Sequence, residues 1–382
     1  MQAFEFTAPN RVVFGTGRIA ELETTLAGRA GRVLLVRGLS AGAIARVRDM
    51  LSGLGTPFEE FPVHGEPTVD MVRNGVRAAR GCGMVVGVGG GSVLDAGKAI
   101  AALATNGGDV MDYLEVVGGG KAITEPPLPY IAIPTTAGTG AEVTRNAVVE
   151  SPEHGLKASM RSPLMVPRLA IVDPELTYDL PPAITAGSGL DALTQLIEPF
   201  VSVKANPMTD ALCREGIRRA VSLRRAFRDG RDAGAREDMS LASLLGGLAL
   251  ANAGLGAAHG LAGPLGAILH APHGALCARL LPAVMEANIA ALEARGSGTA
   301  AIGRYAETAG LLTGDPGASA RDGAAWVRSL VDEMGIPRLS ALGLRPSRFA
   351  EASRKAMASS SCKGNPLPLD ESELTAILEE AS

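Results

Sequence analysis

Short apolar runs alternate with helical patterns through the first half of the chain. Four of these runs predict buried strands, at residues 33–36, 84–88, 130–133 and 169–172. Helical repeats separate them, one over residues 41–51 and one that places apolar side chains at Val69, Val72, Val76 and Ala79. Continuously apolar strands separated by helices are typical of a parallel sheet covered on both faces. Ligands in such sheets bind at the carboxyl ends of the strands.

The pattern changes after Pro181-Pro182, where only helical spacing remains. One repeat places apolar residues at Leu193, Leu196, Ile197 and Phe200. Another uses Val327, Leu330, Val331 and Met334, and Gly335 and Pro337 end it. A chain of 382 residues is also too long for one ordinary core. We therefore predict an α/β domain over residues 1–182 and an all-helical domain over residues 183–382.

Composition narrows the possible partners. The net charge is −4 and the sequence has no run of Lys or Arg, so a nucleic-acid partner is not expected. The cysteines lie far apart without a CxxC motif and predict reduced thiols, which we expect to be inert at Cys277 and Cys362. The N-terminus has no basic flank followed by an apolar run, so a cytoplasmic location is expected.

Residues 239–278 contain no Asp, Glu, Lys or Arg and are long enough to cross a bilayer. The stretch is rich in Gly and Ala, contains Asn252 and three histidines, and is interrupted by Pro264. A buried pair of core helices explains this composition better than a membrane span. No membrane partner is expected.

A glycine-rich turn follows the predicted strand at residues 84–88. It reads Gly89-Gly90-Gly91-Ser92 and opens a helix that contains Lys98, which we expect at the surface. Glycines let the backbone approach a pyrophosphate, and a helix N-terminus offers unpaired N–H groups. The alternative is a plain turn in which Ser92 caps the helix. A second polar turn, residues 134–140, follows the next strand and supports a nucleotide site.

A carboxylate and clustered histidines suggest a metal site. Asp191 and Gln195 are four residues apart on one helix and share a face. Three of the five histidines fall within residues 259–273. Asp191 with His259 and His273 would suit a divalent metal with open positions. The alternative, in which Asp191 pairs locally and the histidines are satisfied core residues, stays open on spacing alone.

These motifs resemble the iron-containing alcohol dehydrogenase family over nearly the whole chain. The matching stretches are residues 14–17, 89–98, 134–144, 171–174, 189–194, 272–274 and 365–366. The resemblance implies an N-terminal parallel-sheet dinucleotide-binding α/β domain followed by a C-terminal helical domain, the dehydroquinate synthase-like architecture. It implies metal-assisted hydride transfer between NAD or NADP and a small alcohol, aldehyde or ketone. It also implies a homodimer or larger homo-oligomer.

The resemblance assigns roles to particular positions. The implied cofactor contacts are Gly89, Gly90, Gly91, Ser92, Asp95, Thr135, Thr136, Thr139, Asn146 and Lys157. The implied ligands of iron or zinc are Asp191, His259 and His273, with Gln195 at the fourth position. The candidate catalytic residues are Asp191, His259, His273 and His270.

Three departures from the family pattern stand out. Gln195 replaces a histidine, which should weaken binding of zinc and later transition metals. Gly263 stands where members often carry a histidine near the nicotinamide, so the pocket loses a proton donor and gains space; His270 is the candidate replacement. The run from Val36 to Leu39 has no acid to repel a 2′-phosphate, and Arg37 would attract one. We therefore expect NADP(H) to be accepted.

Other functions remain possible at this point. Without the histidines at positions 195 and 263, the chain would also suit a metal-independent reductase of the maleylacetate reductase type. An intact nucleotide loop beside a degraded metal site would suit a nucleotide-binding protein without catalysis. A lyase resembling dehydroquinate synthase would need a basic, phosphate-binding pocket, which the charge-free residues 239–278 do not favour.

Overall fold

A computed structural model of the chain describes residues 3–29, 31–296 and 299–382. These residues form two compact units. One consists of residues 7–179, and the other of residues 180–382 together with residues 3–6. The division along the chain lies close to the boundary expected after residue 182, and the segment before Thr7 groups with the helical unit.

The α/β unit is built on a six-stranded parallel sheet in the order β1-β8-β5-β4-β2-β3. Its strands are β1 (Arg11–Phe14), β2 (Arg32–Arg37), β3 (Phe58–Pro62), β4 (Cys82–Gly89), β5 (Tyr130–Pro134) and β8 (Leu169–Val172). The four predicted strands are confirmed as β2, β4, β5 and β8. The edge strands β1 and β3 were not predicted, because β1 is short and half exposed and β3 contains two glutamates and no fully buried residue.

Both faces of the sheet are covered, as predicted. Leu34, Val36 and Val85 belong to one hydrophobic cluster, whereas their neighbours Val33 and Leu35 belong to the other. The helices of this unit are α1 (Glu21–Leu26), α2 (Ala41–Gly53), α3 (Val69–Ala78), α4 (Gly91–Asn106) and α5 (Val110–Tyr113). A separate antiparallel hairpin of β6 (Asn146–Ser151) and β7 (Leu156–Arg161) was not predicted.

Among its described residues the second unit contains helices and connecting turns but no strand, which confirms the prediction. Its helices are α6 (Pro182–Val201), α7 (Pro207–Ala220), α8 (Leu223–Arg228), α9 (Ala233–Ala253), α10 (Ala257–Leu269), α11 (His273–Ala294), α12 (Thr299–Thr313), α13 (Ala320–Glu333), α14 (Phe349–Ala358) and α15 (Glu371–Ala381). The predicted fold class, a parallel-sheet α/β domain followed by a helical domain, is confirmed.

The charge-free residues 239–278 lie in α9, α10 and the start of α11. Among the described residues, α11 is long and apolar enough to cross a membrane, and 78% of its most apolar window is buried inside the protein. The helices α9 and α10 meet the same criterion only as a pair, and they are bent by 99° at their junction. This burial agrees with the prediction of core helices.

Candidate active site

Four side chains of the helical unit converge at one point. Asp191 on α6, His259 on α10, and His273 and Cys277 on α11 each place a ligand atom within 4.8 Å of the others. The Nε2 atom of His259 lies 3.3 Å from Asp191 Oδ1, and that of His273 lies 3.9 Å from the same oxygen. The structure therefore brings together three of the predicted metal ligands, Asp191, His259 and His273.

Glycine contacts bring α6 and α11 close together at this site. A Cβ atom added to Gly274 would lie 2.4 Å from the carbonyl oxygen of Gly187. Gly187 is one turn before Asp191 on α6, and Gly274 follows His273 on α11. The absence of a side chain at Gly274 permits this approach, which carries Asp191 and His273 toward one another.

Cys277 is the member of the cluster that sequence reasoning missed. Its Sγ lies 3.5 Å from His273 Nε2 and is fully buried. The expectation of an isolated, inert thiol was wrong about its surroundings, because a carboxylate and two imidazoles lie beside it. The available signal was the spacing of four residues between His273 and Cys277, which places both on one face of a helix.

Gln195 acts on this cluster through Asp191. Its Nε2 donates a hydrogen bond to Asp191 Oδ2 at 2.9 Å, which leaves Oδ1 toward the histidines. The amide must turn its N–H group to the carboxylate, because a carboxylate only accepts hydrogen bonds. Gln195 Oε1 is buried and has no hydrogen-bond partner among the described residues. The observed contact makes Gln195 an orienting group for Asp191.

Glu198 holds His259 from the opposite side. Its Oε2 lies 2.6 Å from His259 Nδ1, and its Oε1 accepts a hydrogen bond from the Ala258 N–H at 2.7 Å. With a metal bound, this arrangement would keep the proton on Nδ1 and leave Nε2 to bind the ion. Sequence reasoning missed Glu198, although it lies two turns after Asp191 on the same helix.

Two buried atoms of the cluster lack partners. Asp191 Oδ1 and His259 Nε2 make no hydrogen bond of good geometry with any described residue. A buried polar atom left unpaired costs about 1–3 kcal/mol. Carboxylate oxygen, imidazole nitrogen and thiolate sulfur are the donor atoms that bind zinc and related divalent ions. The residues present therefore fit a divalent metal ion.

The charges of the cluster also favour a cation. Burial by itself would raise the pKa of Asp191, but the imidazoles of His259 and His273 hold that pKa below its ordinary value. The sulfur of Cys277 raises the pKa of His273 to about 9. Burial acts to lower the pKa of His259, yet Cys277 and Glu198 raise it well above 6.5. A pocket that stabilises protonated imidazoles is one that stabilises positive charge.

Two further positions of the helical unit were singled out in the sequence, Gly263 within α10 and His270 at its C-terminal end. His270 ends that helix in a left-handed conformation with φ of 48° and is exposed. It is not one of the four converging residues. A Cβ atom added to Gly263 would meet nothing within 4 Å, which agrees with the expected extra space.

The glycine-rich turn opens α4 at the carboxyl end of β4. Gly90 occupies the N-cap position and no side chain caps the helix, so the alternative role for Ser92 as the cap is wrong. A Cβ at Gly91 would lie 2.7 Å from Thr139, and one at Gly90 would lie 3.3 Å from Thr136. These glycines therefore let the two predicted cofactor loops pack together, and no side chain caps the N-terminus of α4, the kind of site that binds phosphate groups.

Thr135 belongs to the same pair of loops, and its N–H donates a hydrogen bond to the carbonyl oxygen of Gly89 at 3.0 Å. Asn146 and Lys157 lie on the hairpin, where Lys157 Nζ forms an ion pair with Glu66 at 3.0 Å. Arg37, which the sequence suggested for a 2′-phosphate, forms an ion pair with Glu60 at 2.7 Å. Lys157 and Arg37 are thus each already paired with a glutamate.

Asp95 and Lys98 form a buried pair behind the glycine-rich turn. Lys98 Nζ lies 2.9 Å from Asp95 Oδ1 and donates to Thr144 Oγ1 at 2.8 Å. Lys98 is 1% exposed, so the expectation that it lies at the surface was wrong. Asp95 Oδ2 accepts a hydrogen bond from the Val148 N–H at 2.9 Å. Asp95 therefore ties α4 to β6 whether or not it also contacts a cofactor.

Comparison with known proteins agrees with this fold and site. The family model "Iron-containing alcohol dehydrogenase" matches residues 9–174, and "Fe-containing alcohol dehydrogenase family, C-terminal" matches residues 185–382. The chain belongs to the iron-containing alcohol dehydrogenase family. This membership confirms the resemblance seen in the sequence and the predicted class of activity, an oxidoreductase acting on CH–OH groups.

Individual relatives match nearly the whole length of the chain. Alcohol dehydrogenase 4 of Saccharomyces cerevisiae strain YJM789 is 36% identical over 98% of both chains. The crystal structure of a 1,3-propanediol oxidoreductase has a TM-score of 0.89 at 34% identity and covers 100% of both chains. Sulfoacetaldehyde reductase from Bifidobacterium kashiwanohense, solved in complex with NAD+, has a TM-score of 0.87 at 29% identity over 99% of this chain and 98% of that one.

Proposed function

We propose that this protein transfers a hydride between a nicotinamide coenzyme and a small alcohol or its carbonyl product, with a divalent metal at the four-residue cluster. The observation that carries the proposal is that two buried atoms beside His273, Asp191 Oδ1 and His259 Nε2, have no hydrogen-bond partner among the described residues. When bound, the metal would act as a Lewis acid on the substrate oxygen.

The residues of the chain hold and tune this site. Asp191 supplies negative charge, and Gln195 fixes its orientation through Oδ2. His259 offers Nε2 because Glu198 occupies its Nδ1. Removing either supporting hydrogen bond lets a ligand rotate, which typically lowers metal affinity by about 10- to 100-fold. With glycine at position 263, proton exchange would fall to water or to the exposed His270.

The coenzyme is NAD or NADP, and we propose that both are accepted. The absence of an acid immediately after β2 removes repulsion of a 2′-phosphate, but Arg37 is paired with Glu60. A 2′-phosphate would have to compete with that carboxylate for the guanidinium group. We therefore propose a coenzyme ratio within about 100-fold, equivalent to about 2.7 kcal/mol.

The substrate class follows from the family and from the pocket. The relatives named above act, by their names, on alcohols, 1,3-propanediol and sulfoacetaldehyde. The open space at Gly263 supports acceptance of a branched or bulkier substrate. We further propose that the protein is cytoplasmic and forms a homodimer or larger homo-oligomer. Light scattering of the purified protein would test the oligomeric state.

The test combines metal analysis with turnover. Protein purified without chelators is assayed with a panel of small aldehydes and alcohols, using NAD(H) and NADP(H), before and after EDTA. We expect activity to fall with the metal and to return on adding zinc or iron(II), and Asp191→Asn to behave like the stripped enzyme. Full activity without bound metal would instead support a reductase of the maleylacetate reductase type. No uptake of either coenzyme in calorimetry would reject the oxidoreductase proposal.

A further inference from the structure

We propose that Cys277 is a metal ligand of this site and replaces the histidine that the family places at position 195. The inference rests on the proposed function, because it concerns the same metal ion. It assigns the fourth protein ligand to a residue on α11, one turn after His273, and leaves Gln195 to orient Asp191.

The placement of Cys277 carries the first step. Its sulfur belongs to the group of ligand atoms that lie within 4.8 Å of one another, and none of the other three cysteines does. The side chain is fully buried. Asp191 Oδ1 and His259 Nε2 face the same point without hydrogen-bond partners among the described residues. A buried thiol beside two unsatisfied donor atoms fits a shared ligand better than it fits core packing.

The contacts of Gln195 carry the second step. Its N–H group is committed to Asp191 Oδ2 at 2.9 Å. Its Oε1 is buried without a hydrogen-bond partner among the described residues, and it could bind the metal only if the same short side chain kept both contacts. Cys277 needs no such rearrangement, because its sulfur is already within the cluster. The site has therefore lost a nitrogen ligand on α6 and gained a sulfur ligand on α11.

The exchange changes the chemistry of the site. As the metal–sulfur bond forms, the Sγ–H bond breaks and its proton passes to water. One carboxylate and one thiolate then balance the two positive charges of the ion, where a carboxylate with three neutral imidazoles would leave one charge uncompensated. Thiolate is a soft ligand that suits zinc, so replacing an imidazole with a thiolate raises the preference of the site for zinc over iron(II). The site is thus shifted toward zinc relative to a site with histidine at position 195.

Cobalt(II) reports directly on sulfur coordination. The full-length protein is stripped, kept reduced, and loaded with one equivalent of cobalt, and its near-ultraviolet spectrum is recorded. A thiolate-to-cobalt charge-transfer band is expected in the wild type and in Cys362→Ser, which alters the half-buried cysteine outside the cluster. The band should vanish in Cys277→Ser, whose zinc affinity should fall by about 100-fold or more, at or beyond the upper end of what loss of a supporting hydrogen bond costs.

A second variant separates loss of a ligand from loss of folding. In Cys277→Ser combined with Gln195→His, the added imidazole should restore metal binding without restoring the sulfur band. X-ray absorption of the zinc-loaded wild type should show one sulfur neighbour. Cobalt bound at one per chain without a sulfur band, or zinc without a sulfur neighbour, would overturn the assignment of Cys277.

These readouts are independent of turnover. If the enzyme is active but its metal is bound through nitrogen and oxygen alone, the proposed function stands and the role of Cys277 is refuted. If the sulfur band is present but no alcohol or aldehyde is turned over, the assignment of Cys277 stands and the proposed function is refuted. Failure to bind any metal in the folded protein refutes both the ligand and the metal-assisted function.

Discussion

Glu198 and His259 lie 61 residues apart in the sequence and 2.6 Å apart in the structure, carboxylate Oε2 to imidazole Nδ1. The carboxylate is 4% exposed, and its second oxygen accepts the backbone N–H of Ala258. The pair sets which nitrogen of His259 faces the four-residue cluster. Metal binding at the proposed site is therefore expected to depend on Glu198, which lies outside the four-residue cluster.

Glu198→Gln should lower metal affinity by about 10- to 100-fold, because the amide has one acceptor oxygen where the carboxylate uses two, one for the imidazole and one for the Ala258 N–H. Competition of the loaded protein with a chromophoric chelator measures the change. The matched control is Glu293→Gln, which removes an exposed acid on α11 that pairs with Arg321. Equal metal affinity in the wild type and Glu198→Gln would show that the hydrogen bond does not position His259.

Two glycines of the helical unit should respond oppositely to alanine. Gly263→Ala should leave the protein as stable or about 0.5–1 kcal/mol more stable, because the new methyl group meets nothing and alanine favours helix. Gly274→Ala should cost about 1–3 kcal/mol and weaken metal binding, because the methyl group meets the Gly187 carbonyl and separates α6 from α11. Thermal unfolding and metal titration measure both effects. A Gly274→Ala protein that binds metal normally would contradict the role given to this close contact.

Lys98→Met should destabilise the α/β unit by about 3 kcal/mol or more, because it leaves Asp95 without its buried partner. The double variant Lys98→Met with Asp95→Asn should recover part of this loss, since the uncompensated charge is then absent. Urea unfolding of the wild type, both single variants and the double variant gives the coupling free energy. Purely additive effects would show that the two side chains do not stabilise each other.

Glu60 should make stability depend on pH in acid. The hydrogen bond from Arg48, with a further one from Arg37, lowers the pKa of Glu60 from 4.5 to about 2. A pKa lowered on folding gives stability that is fully present above pH 4.5 and is lost as the pH falls toward 2. Because the group is partly exposed, the contribution should be about 1 kcal/mol. The difference in unfolding free energy between wild type and Glu60→Gln should be constant from pH 5 to 8 and shrink between pH 4.5 and 3. A difference that does not change with pH would contradict this pairing.

The same substitution tests coenzyme choice. Glu60→Gln removes the carboxylate that holds Arg37, so the guanidinium becomes available to a phosphate. The ratio of kcat/KM for NADPH to that for NADH should rise by about tenfold, equivalent to about 1.4 kcal/mol. Glu59→Gln, on the same strand and paired with Arg32, is the control and should leave the ratio unchanged. A rise with Arg37→Ala as well would argue that Arg37 does not contact the coenzyme.

Periodicity and local motifs were enough to predict four strands of the parallel sheet, the helical second half and the glycine-rich turn between β4 and α4. The spacing of Asp191 and Gln195 likewise predicted that both lie on one helix face. These features depend on residues close together in the chain, whose apolar spacing and backbone freedom are visible in the sequence. The edge strands and the hairpin were not predicted, because each strand is only four to six residues long and mixes polar with apolar positions.

The partners of buried polar groups were decided only by packing. Cys277 joins the cluster because α11 approaches α6 at two glycines, Lys98 is buried because it meets Thr144, and Glu198 acts because α10 packs beside α6. A helical repeat reports which face of a helix is apolar, but it does not report which face of another helix it will meet. For this reason Asp191, His259 and His273 could be proposed as ligands from motifs, whereas the position of Cys277 beside them and the contact of Glu198 with His259 required the tertiary structure.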